Sequence, residues 1–423
     1  MTDEHGPTWV GETDVDDVAG LHVEPRFTAA RLLVTAHGDA VGQVTVPLRA
    51  GVADAVTVAE ALSTQLGALP APRPVPSSVE PITVVIATRE RPESLGRAVR
   101  AVLAGDHPAV TVLVVDNDPA DDATERVVAQ IGDPRVRYLR EPRRGTSAGR
   151  NRGLAEAQTR LVAFTDDDTE VDTAWARRLA GAFAADPEVV CVSGPVLAAR
   201  LDTEQERVAD ATLGWAKGFR PRTFSLAAPP ADSAIFPFAP GLLGIGANLA
   251  VQADVARGIG GFDEALGPGS PTRSGEDCEF LVRLVLAGHV LAYEPAAWVR
   301  HHHRSDLAGL QEQVEGYAVG LAGFLTKVAL SPRGRAAALR RIPAAVRRLG
   351  AIADRDAGVT GGPETAAPGS GRRHRALLSG PWLYLRSRRR AMRAGGRVPP
   401  LVLDVVPPVR AEQRPREAVL GLH

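Results

Sequence analysis

Hydrophobic residues in the middle of the chain follow two alternating patterns. Short apolar runs of strand length are separated by stretches in which apolar residues recur every three or four positions, as on one face of a helix. Because strands that alternate with helices form a parallel sheet covered on both faces, we expect an α/β fold with a mostly parallel sheet. The predicted strands are residues 82–87, 110–115, 136–139 and 161–165, and the predicted helices are residues 92–103, 121–131 and 148–158.

The N-terminal part has a pattern of its own. Two β-like runs, residues 30–35 and 41–46, flank His37-Gly38-Asp39, which predicts a hairpin, and a helix is predicted over residues 53–66. Residues 69–81 contain five prolines, as is typical of a linker. We therefore divide the chain into an extension (1–68), a linker (69–81), a catalytic-sized domain (82–330) and a C-terminal segment (331–423).

Composition limits the class of protein. The formal net charge is −1, which indicates no particular partner, and we expect no nucleic acid. The two cysteines, Cys191 and Cys278, are far apart in sequence, so neither a disulfide framework nor a cysteine-bound metal is expected. Residues 1–17 are acidic and lack the pattern of a secretory signal, and the most apolar window, residues 234–251, is interrupted by prolines and glycines. We expect a cytoplasmic protein, soluble or peripheral on the membrane.

The C-terminal segment is strongly basic. Residues 331–397 contain sixteen arginines and three acidic residues. Arginine-rich helices are predicted over residues 336–349 and 377–392, separated by a Gly/Pro-rich stretch, residues 358–371, that we expect to be disordered. Such a composition suits contact with an anionic membrane surface, on the inner face of the membrane. The alternative is that a chain with 47 arginines and two lysines reflects arginine-biased usage.

Three adjacent carboxylates follow the last predicted strand of the alternating region. Asp166, Asp167 and Asp168 come directly after residues 161–165, and the carboxyl ends of the strands are where open α/β sheets bind ligands. Adjacent acids repel one another, and oxygen ligands suit Mg²⁺ or Mn²⁺ better than zinc. The cluster predicts a divalent-metal site that holds phosphate. The alternative is a solvated acidic turn that caps the helix predicted near Thr173.

The other loops at the same sheet edge carry complementary groups. Asp116 and Asn117 offer the acceptors and the amide needed to bind the polar edge of a base and a ribose hydroxyl. Residues 143–151 form a basic approach to a helix N-terminus, where free N–H groups favour an anion. The alternative is that these are an ordinary turn and solvated arginines.

Glu276 and Asp277 begin a helix in the second half of the chain. Asp277 lies in the first turn, where the helix dipole favours the ionised carboxylate, and it could take a proton from a sugar hydroxyl in concert with attack. The alternative is that both acids only cap the helix. His301, within the run 300–304, could complete a metal ligand set, although histidine runs are also surface features.

Eight motifs follow one another across residues 81–330 in an order that resembles the family 2 glycosyltransferases, inverting enzymes of the GT-A fold. An ordered set of this size is more specific than a single Asp-x-Asp. The resemblance implies a GT-A type sheet flanked by helices. The motifs are residues 84–93, 115–118, 149–153, 164–168, 246–250, 260–263, 275–277 and the histidine run at 301–303.

The resemblance implies transfer of a hexose, with inversion and with Mn²⁺ or Mg²⁺, from a nucleotide-sugar donor (UDP-, GDP- or dTDP-sugar) to an acceptor hydroxyl. The acceptor would be a glycan, a lipid-linked sugar, a peptide or a small molecule. The alternatives are a nucleotidyltransferase and a non-catalytic nucleotide-sugar binder. A nucleotidyltransferase should carry a glycine- and lysine-rich phosphate loop after its first strand, and this sequence has no such loop there.

Three sets of site residues follow from the resemblance. The catalytic set is Asp277, as general base, and Glu276. The metal set is Asp168, Asp166 and His301, with the choice among the three aspartates left open. The donor-binding set, in which Asn248 would line the acceptor side of the sugar pocket, is Thr88, Glu90, Asp116, Asn117, Arg150, Asn151, Asp166, Asp167 and Asn248.

The sequence also departs from the family pattern. Arg89-Glu90 stands where the family often has Tyr-Asn, and Gly149 replaces a common alanine. Asp263 belongs to a Gly-Gly-Phe-Asp turn that we interpret as structural. Residues 201–240 read as irregular, and we expect them to shape acceptor choice, the alternative being a surface excursion.

Overall fold

The computed structural model describes residues 6–67, 73–341 and 370–401. Its N-terminal part is a small sheet in which β1 runs parallel to β3, and β3 pairs antiparallel with β4 across the predicted hairpin. Apolar residues of β3, β4 and α1, among them Leu32, Val44 and Val58, form a separate core. The elements are β1 (Thr8–Asp14), β2 (Leu21–His22), β3 (Ala29–Ala36), β4 (Asp39–Pro47), β5 (Val52–Ala53) and α1 (Ala55–Leu66).

The alternation of strands and helices predicted from the sequence is confirmed. The helix α2 begins at Pro92, whose missing N–H is not needed in a first turn, and α4 begins at Thr146, two residues before its predicted start. The elements are β6 (Ile82–Thr88), α2 (Pro92–Leu103), β7 (Val110–Asn117), α3 (Ala123–Ile131), β8 (Val136–Glu141), α4 (Thr146–Glu156) and β9 (Leu161–Asp166).

The second half contributes short strands and longer helices. They are β10 (Thr169–Val171), α5 (Trp175–Ala185), β11 (Val189–Ser193), β12 (Val196–Ala198), α6 (Glu204–Leu213), β13 (Arg222–Phe224), β14 (Asn248–Gln252), α7 (Ala253–Gly258), α8 (Glu276–Leu286), β15 (Val290–Tyr293), β16 (Val299–His301), α9 (Leu307–Leu330), α10 (Pro332–Leu339) and α11 (Ser370–Arg393).

Eight strands form the central sheet, in the order β13-β15-β11-β14-β9-β6-β7-β8. Only β13 and β14 run against the other six strands. One face packs on α4, α8 and α9 through residues such as Leu154 and Phe280, and the other packs on α2 and α5 through residues such as Leu95 and Leu179. The predicted fold class, a mostly parallel sheet flanked by helices, is confirmed.

A second, three-stranded sheet lies beyond the acidic cluster. In it β16 pairs antiparallel with β10 and parallel with β12. The register pairs Thr169 with His301, so the histidine run is placed directly beside the residue that follows Asp168. This pairing brings together parts of the chain that are 132 residues apart.

The predicted irregular segment, residues 201–240, contains a helix and a strand. The helix α6 begins with a capping box: the Thr203 hydroxyl accepts the Glu206 N–H at 3.2 Å, and the Glu206 carboxylate accepts the Thr203 N–H at 3.0 Å. Reciprocal satisfaction of two free N–H groups stabilises a helix start whose apolar pattern is weak. That weak pattern is why periodicity alone did not predict α6.

The described part of the proline-rich segment, residues 73–81, is fixed against the fold. The Arg73 guanidinium contacts Asp39 of the N-terminal sheet at 2.6 Å and Glu294 at 2.5 Å. The N–H of Ser78 donates to the backbone carbonyl of Arg177 at 3.1 Å. These contacts hold the N-terminal sheet against the central domain.

The C-terminal segment forms α10 and α11 in place of the predicted helices at 336–349 and 377–392, and α11 is longer than predicted. Residues 342–349 and 358–369, parts of a predicted helix and of the predicted disordered stretch, lie outside the described residues. Among the helices that the structure describes, none has both the length and the apolar character required to cross a bilayer.

A buried ion network joins the last helices to the central domain. The Lys327 ammonium on α9 contacts Asp263 at 2.6 Å and Glu279 at 2.8 Å, and Glu279 also binds Arg283 one helical turn along α8. The Tyr384 hydroxyl on α11 donates to the same Asp263 carboxylate at 3.3 Å. Since these carboxylates are fully buried, each depends on its positive partner.

We expect Lys327→Met to lower the free energy of unfolding by about 3–5 kcal/mol, because it leaves buried negative charge without compensation. Urea denaturation would measure the loss. The matched control is Arg152→Ala, which removes an exposed pair with Glu156 and should cost less than about 1 kcal/mol. Equal losses in the two variants would contradict the importance of the network.

Candidate active site

The site lies at the edge of the central sheet where the parallel strands β6, β7 and β9 end. The register aligns Thr88 with Asp116 and Ala87 with Asp166, so the loops after these strands meet at one edge. A cavity of about 1260 Å³ opens there, lined by residues of these loops and of α8 and α9. The structure therefore places the acidic cluster and the start of α8 on the same cavity, although they are separated by more than a hundred residues.

Arg150 connects the two groups of acids. Its Nη2 donates to Oδ1 of Asp166 at 2.8 Å, and its Nη1 donates to Oε1 of Glu276 at 2.9 Å. The side chain is 96% buried, and it reaches both partners from α4. A guanidinium presents donors in a fixed fork, so it can hold two carboxylates at a defined separation.

Backbone N–H groups hold Asp277 in place. Its Oδ2 accepts the Gly246 N–H at 2.8 Å, and its Oδ1 accepts the Cys278 N–H at 2.7 Å. Gly246 is needed because a Cβ there would lie 2.7 Å from the guanidinium nitrogens of Arg150. The carboxylate is half-buried and lines the cavity, so a bound molecule can reach it.

The remaining two aspartates have partners of their own. The Thr88 hydroxyl donates to Asp167 at 2.7 Å, and the Arg91 guanidinium contacts both Asp167 at 3.0 Å and Asp168 at 3.1 Å. His301 Nε2 lies 3.1 Å from the Asp168 carboxylate. These acids are paired and largely shielded from solvent, which differs from the solvated acidic turn that was the alternative interpretation.

The charges of the cluster differ from residue to residue. Burial raises the pKa of Asp167, and the neighbouring Asp168 carboxylate raises it further. Burial acts in the same direction on Asp168, but His301 and then Arg91 outweigh it and hold the pKa of Asp168 well below its usual range. Burial lowers the pKa of His301, and Asp168 more than reverses that effect. Asp168 is therefore the more strongly ionised of the two adjacent carboxylates.

Asp168 and His301 are the side chains that could hold a divalent cation. Within residues 6–67, 73–341 and 370–401, no three His, Cys, Asp or Glu side chains are arranged to hold a metal by themselves. Mg²⁺ in phosphate sites takes one or two carboxylates and completes its coordination with substrate phosphates and water. Nδ1 of His301 is buried and has no hydrogen-bond partner, and the donor set fits a cation shared with a diphosphate.

Most of the site residues predicted from the sequence line the cavity. They are Thr88, Asn117, Arg150, Asp166, Asp167, Asp168, Glu276, Asp277 and His301. The Asn117 side-chain amide is already hydrogen-bonded within the protein. It donates to the Arg143 carbonyl at 2.5 Å and accepts the Gly145 N–H at 2.6 Å. Its side chain thereby fixes the loop that leads into α4.

Asn151 and Asn248 lie outside the cavity lining. The Asn151 amide is bonded to the backbone N–H and carbonyl of Phe262 at 2.8 and 2.9 Å, so it fixes the Gly-Gly-Phe-Asp turn. The Asn248 amide donates to the carbonyls of Pro195 and Ala297 and accepts the Trp175 indole N–H. The contacts of both asparagines are structural, and neither faces the space in which a donor would bind.

Glu90 and Asp116 also lie outside the lining. The Glu90 carboxylate is exposed and paired with Arg89 at 2.8 Å. Asp116 is fully buried, where it accepts the Tyr138 hydroxyl at 2.9 Å while its Oδ1 has no partner. Burial raises the pKa of Asp116.

Three further residues contribute to the site. Arg91 bridges Asp167 and Asp168, and the Trp215 ring packs edge-on against the His301 ring with centroids 4.7 Å apart. Arg91 lies within the motif at residues 84–93, but the sequence around it does not indicate which acids it contacts. Gly246 could be recognised only once its distance to Arg150 was known.

Comparison with known proteins agrees with this architecture. Residues 83–240 match the family model described as Glycosyl transferase family 2. This part of the chain is similar to glycosyl transferase family 2. The resemblance predicted from the order of the motifs is therefore confirmed.

Two curated proteins illustrate the similarity. Pre-mycofactocin glycosyltransferase of Mycobacterium tuberculosis is 32% identical over 240 residues, which are 56% of this chain and 46% of that protein. Succinoglycan biosynthesis protein ExoO of Rhizobium meliloti is 35% identical over 149 residues, or 33% of this chain and 42% of that protein. The chain thus spans less than half the length of these relatives.

A solved structure is also similar to this chain. It is a mannosyltransferase of Pyrobaculum calidifontis in complex with GDP-Man and Mn²⁺, with 16% sequence identity and a TM-score of 0.46. The match covers 75% of this chain and 90% of the mannosyltransferase.

We expect Gly246→Ala to lower the free energy of unfolding by about 1–3 kcal/mol, because the new methyl group must displace the Arg150 guanidinium from its two carboxylates. Thermal and urea unfolding would measure the loss. The control is Gly258→Ala, where a Cβ meets nothing within 4 Å. That change should be neutral or stabilising by up to about 1 kcal/mol. A neutral Gly246→Ala would contradict the tight fit.

Proposed function

We propose that this protein is an inverting hexosyltransferase that moves a sugar from a nucleotide-diphosphate donor to an acceptor hydroxyl. The observation that carries the proposal is the double ion pair of Arg150, which places Asp166 and Glu276 at opposite sides of one guanidinium on a shared cavity. The cavity volume of about 1260 Å³ exceeds that of most small-molecule sites and leaves room for donor and acceptor together.

Arginines in the cavity supply groups that can bind an anionic donor. Lys217 and six arginines line it beside seven acidic residues, so the formal charges of the lining balance. Guanidinium groups bind phosphate oxygens in bidentate fashion. The lining arginines are Arg89, Arg91, Arg144, Arg150, Arg273 and Arg304.

Asp277 is the proposed general base. Two backbone N–H groups fix its carboxylate at the start of α8, one on each oxygen. Each oxygen keeps a further lone pair that can accept a hydrogen bond from a molecule in the cavity. The carboxylate takes the proton of the acceptor hydroxyl as the hydroxyl oxygen attacks the anomeric carbon from the face opposite the departing diphosphate. Inversion follows, because one displacement occurs and no covalent enzyme intermediate forms.

Glu276 acts through Arg150. Its carboxylate is buried and bonded to Nη1 of Arg150, and burial followed by the charge of Asp277 raises the pKa of Glu276 to about 7. The group therefore positions the guanidinium that faces the leaving diphosphate, while Asp277 performs the proton transfer. This assignment separates the two residues that the sequence placed in one catalytic set.

A divalent cation, Mn²⁺ or Mg²⁺, would be held by Asp168 and His301, with Asp166 nearby. Bound there, it would neutralise the charge that develops on the departing diphosphate. Arg91 keeps Asp168 oriented from the other side, at 3.1 Å. Thr88 and Asp167, joined by a hydrogen bond of 2.7 Å, would lie beneath a bound donor.

The segment around α6 is the proposed acceptor side. Thr212, Leu213, Trp215 and Lys217 line the cavity, and Trp215 contacts His301. Aromatic rings pack well against the apolar faces of sugars and other ring systems. The acceptor of this protein is therefore selected by residues outside the parallel strands, which is where loops on a rigid scaffold carry specificity.

We expect Asp277→Asn to lower the transfer rate by roughly 10²–10⁴-fold, the usual contribution of a positioned general base. Donor binding, measured as the nucleotide-induced rise in melting temperature, should remain unchanged. The control Asp254→Asn changes a carboxylate whose side chain is 95% exposed and should leave the rate unaltered. A wild-type protein that binds nucleotide sugars but never consumes them would be a binding protein and not an enzyme.

We expect UDP, GDP or dTDP to raise the melting temperature of the wild-type protein more in the presence of Mn²⁺ than in its absence, since ligands that bind the folded state stabilise it. Asp168→Asn should remove the metal-dependent part of the rise. Asp118→Asn serves as the control, because Asp118 lies at the same sheet edge but does not line the cavity. If none of the three nucleotides produces a metal-dependent rise, the metal assignment is wrong.

A further inference from the structure

The C-terminal helix α11 has two apolar faces, of which the fold uses one. Its buried positions are Ala376, Gly380, Tyr384, Ser387 and Ala391, which follow the spacing of one helix face. This face packs on α9, and the approach is close: a Cβ at Gly380 would lie 2.2 Å from the Ala322 Cβ. Packing within the protein therefore accounts for these five residues.

The opposite face of α11 carries a second apolar stripe. Leu378, Trp382, Leu385 and Met392 are 82%, 61%, 39% and 59% exposed. At 3.6 residues per turn, they lie about half a turn away from the buried positions. Large apolar side chains that are aligned and exposed on one helix indicate a surface that contacts something outside the fold.

Positive charge flanks this apolar stripe. Residues 370–393 contain eight arginines and no acidic residue, whereas the whole chain has a net charge of −1. Arg375, Arg386 and Arg393 are exposed and fall along one side of the stripe, and the Arg386 guanidinium lies over the Trp382 ring at 5.4 Å. A helix with a tryptophan and leucines on one stripe and arginines beside it has the composition of helices that lie in a membrane interface.

We propose that the exposed face of α11 docks the protein on an anionic lipid bilayer. The apolar stripe enters the headgroup region, and the flanking arginines contact the acidic headgroups. A second copy of the chain fits less well, because a symmetric contact would bring two sets of eight arginines together. Nucleic acid would match the charge but would leave Leu378, Trp382 and Leu385 without an apolar partner.

The docking face adjoins the mouth of the cavity. Leu377, next to Leu378 on α11, and Leu321 of α9 are both part exposed and both line the cavity that contains Asp277. A bilayer bound along α11 would therefore lie beside the opening through which an acceptor enters. The docking proposal itself is independent of the transfer chemistry, because it depends only on α11.

Sedimentation of the full-length protein with vesicles tests the proposal. We expect binding to vesicles that contain phosphatidylglycerol, weak binding to vesicles of phosphatidylcholine alone, and loss of binding at high salt. The variant Leu378→Ser/Trp382→Ser/Leu385→Ser should bind at least roughly tenfold more weakly. The variant Arg386→Gln/Arg389→Gln/Arg393→Gln should bind roughly a hundredfold more weakly, since each arginine near an anionic surface adds to the attraction.

Matched controls change the same residue types on other surfaces. Val56→Ser/Val79→Ser/Leu226→Ser removes three exposed apolar side chains, and Arg97→Gln/Arg100→Gln/Arg126→Gln removes three exposed arginines. Both controls should bind vesicles like the wild-type protein. Melting temperatures establish that every variant is folded, and the single change Trp382→Ser, with an expected severalfold loss, carries the test if the triple variant does not fold.

Three results would overturn the proposal. The first is a wild-type protein that does not prefer anionic vesicles. The second is a stripe variant, or a folded Trp382→Ser variant, that binds them as well as the wild-type protein does. The third is a wild-type dimer, seen by analytical ultracentrifugation, that the stripe variant converts to a monomer, because the stripe would then be an interface between copies.

Discussion

The site depends on the charge balance around Arg150. The partly exposed Asp166 and the buried Glu276 come from distant parts of the chain and share one guanidinium. Removing such charges from water is unfavourable unless the geometry of their pairing is good. The elements α4, β9 and α8 must therefore be positioned so that Arg150 can form hydrogen bonds with both carboxylates. The ring of Phe262, 5.5 Å from the guanidinium carbon, supports the same side chain from a third direction. The arrangement of the cavity thus follows from one electrostatic requirement.

A second ion network fixes the helix that carries Asp277. Glu279 and Arg283 are fully buried one and two turns beyond the start of α8, and Lys327 connects them to Asp263. The first turn of α8 is then held at the cavity by its polar contacts, while the rest is held in the core by ion pairs. The Asp277 carboxylate, at the start of α8, is therefore held on a rigid support.

Much of the fold could be predicted from local pattern. Alternating periodicity identified the strands and helices of residues 82–166, and the rule that parallel strands end at one edge brought Asn117 and Asp166 together. The placement of Asn151 and Asn248 could not be predicted. The sequence of a motif does not distinguish an asparagine whose amide binds a ligand from one whose amide binds the backbone. In both cases the amide groups are used by buried turns and strand ends.

Contacts between distant segments also escaped sequence analysis. Gly246 lies just before β14, which runs antiparallel between β9 and β11, and only that insertion brings its backbone to Arg150 and Asp277. The helix α6 was missed because its stability comes from a capping box more than from an apolar stripe. Local periodicity carries no information on either feature.

The pairing of β10 with β16 has a consequence for the order in which this protein matures during translation. Asp168 emerges from the ribosome long before His301, so their ion pair forms only after the second half of the domain has been synthesised, whereas Arg91 and Arg150 precede the aspartates that they bind. Residues 83–240 alone cannot assemble the cavity, since α8 and β16 follow them. A nascent chain therefore completes the cavity late, only after residues up to His301 have been synthesised.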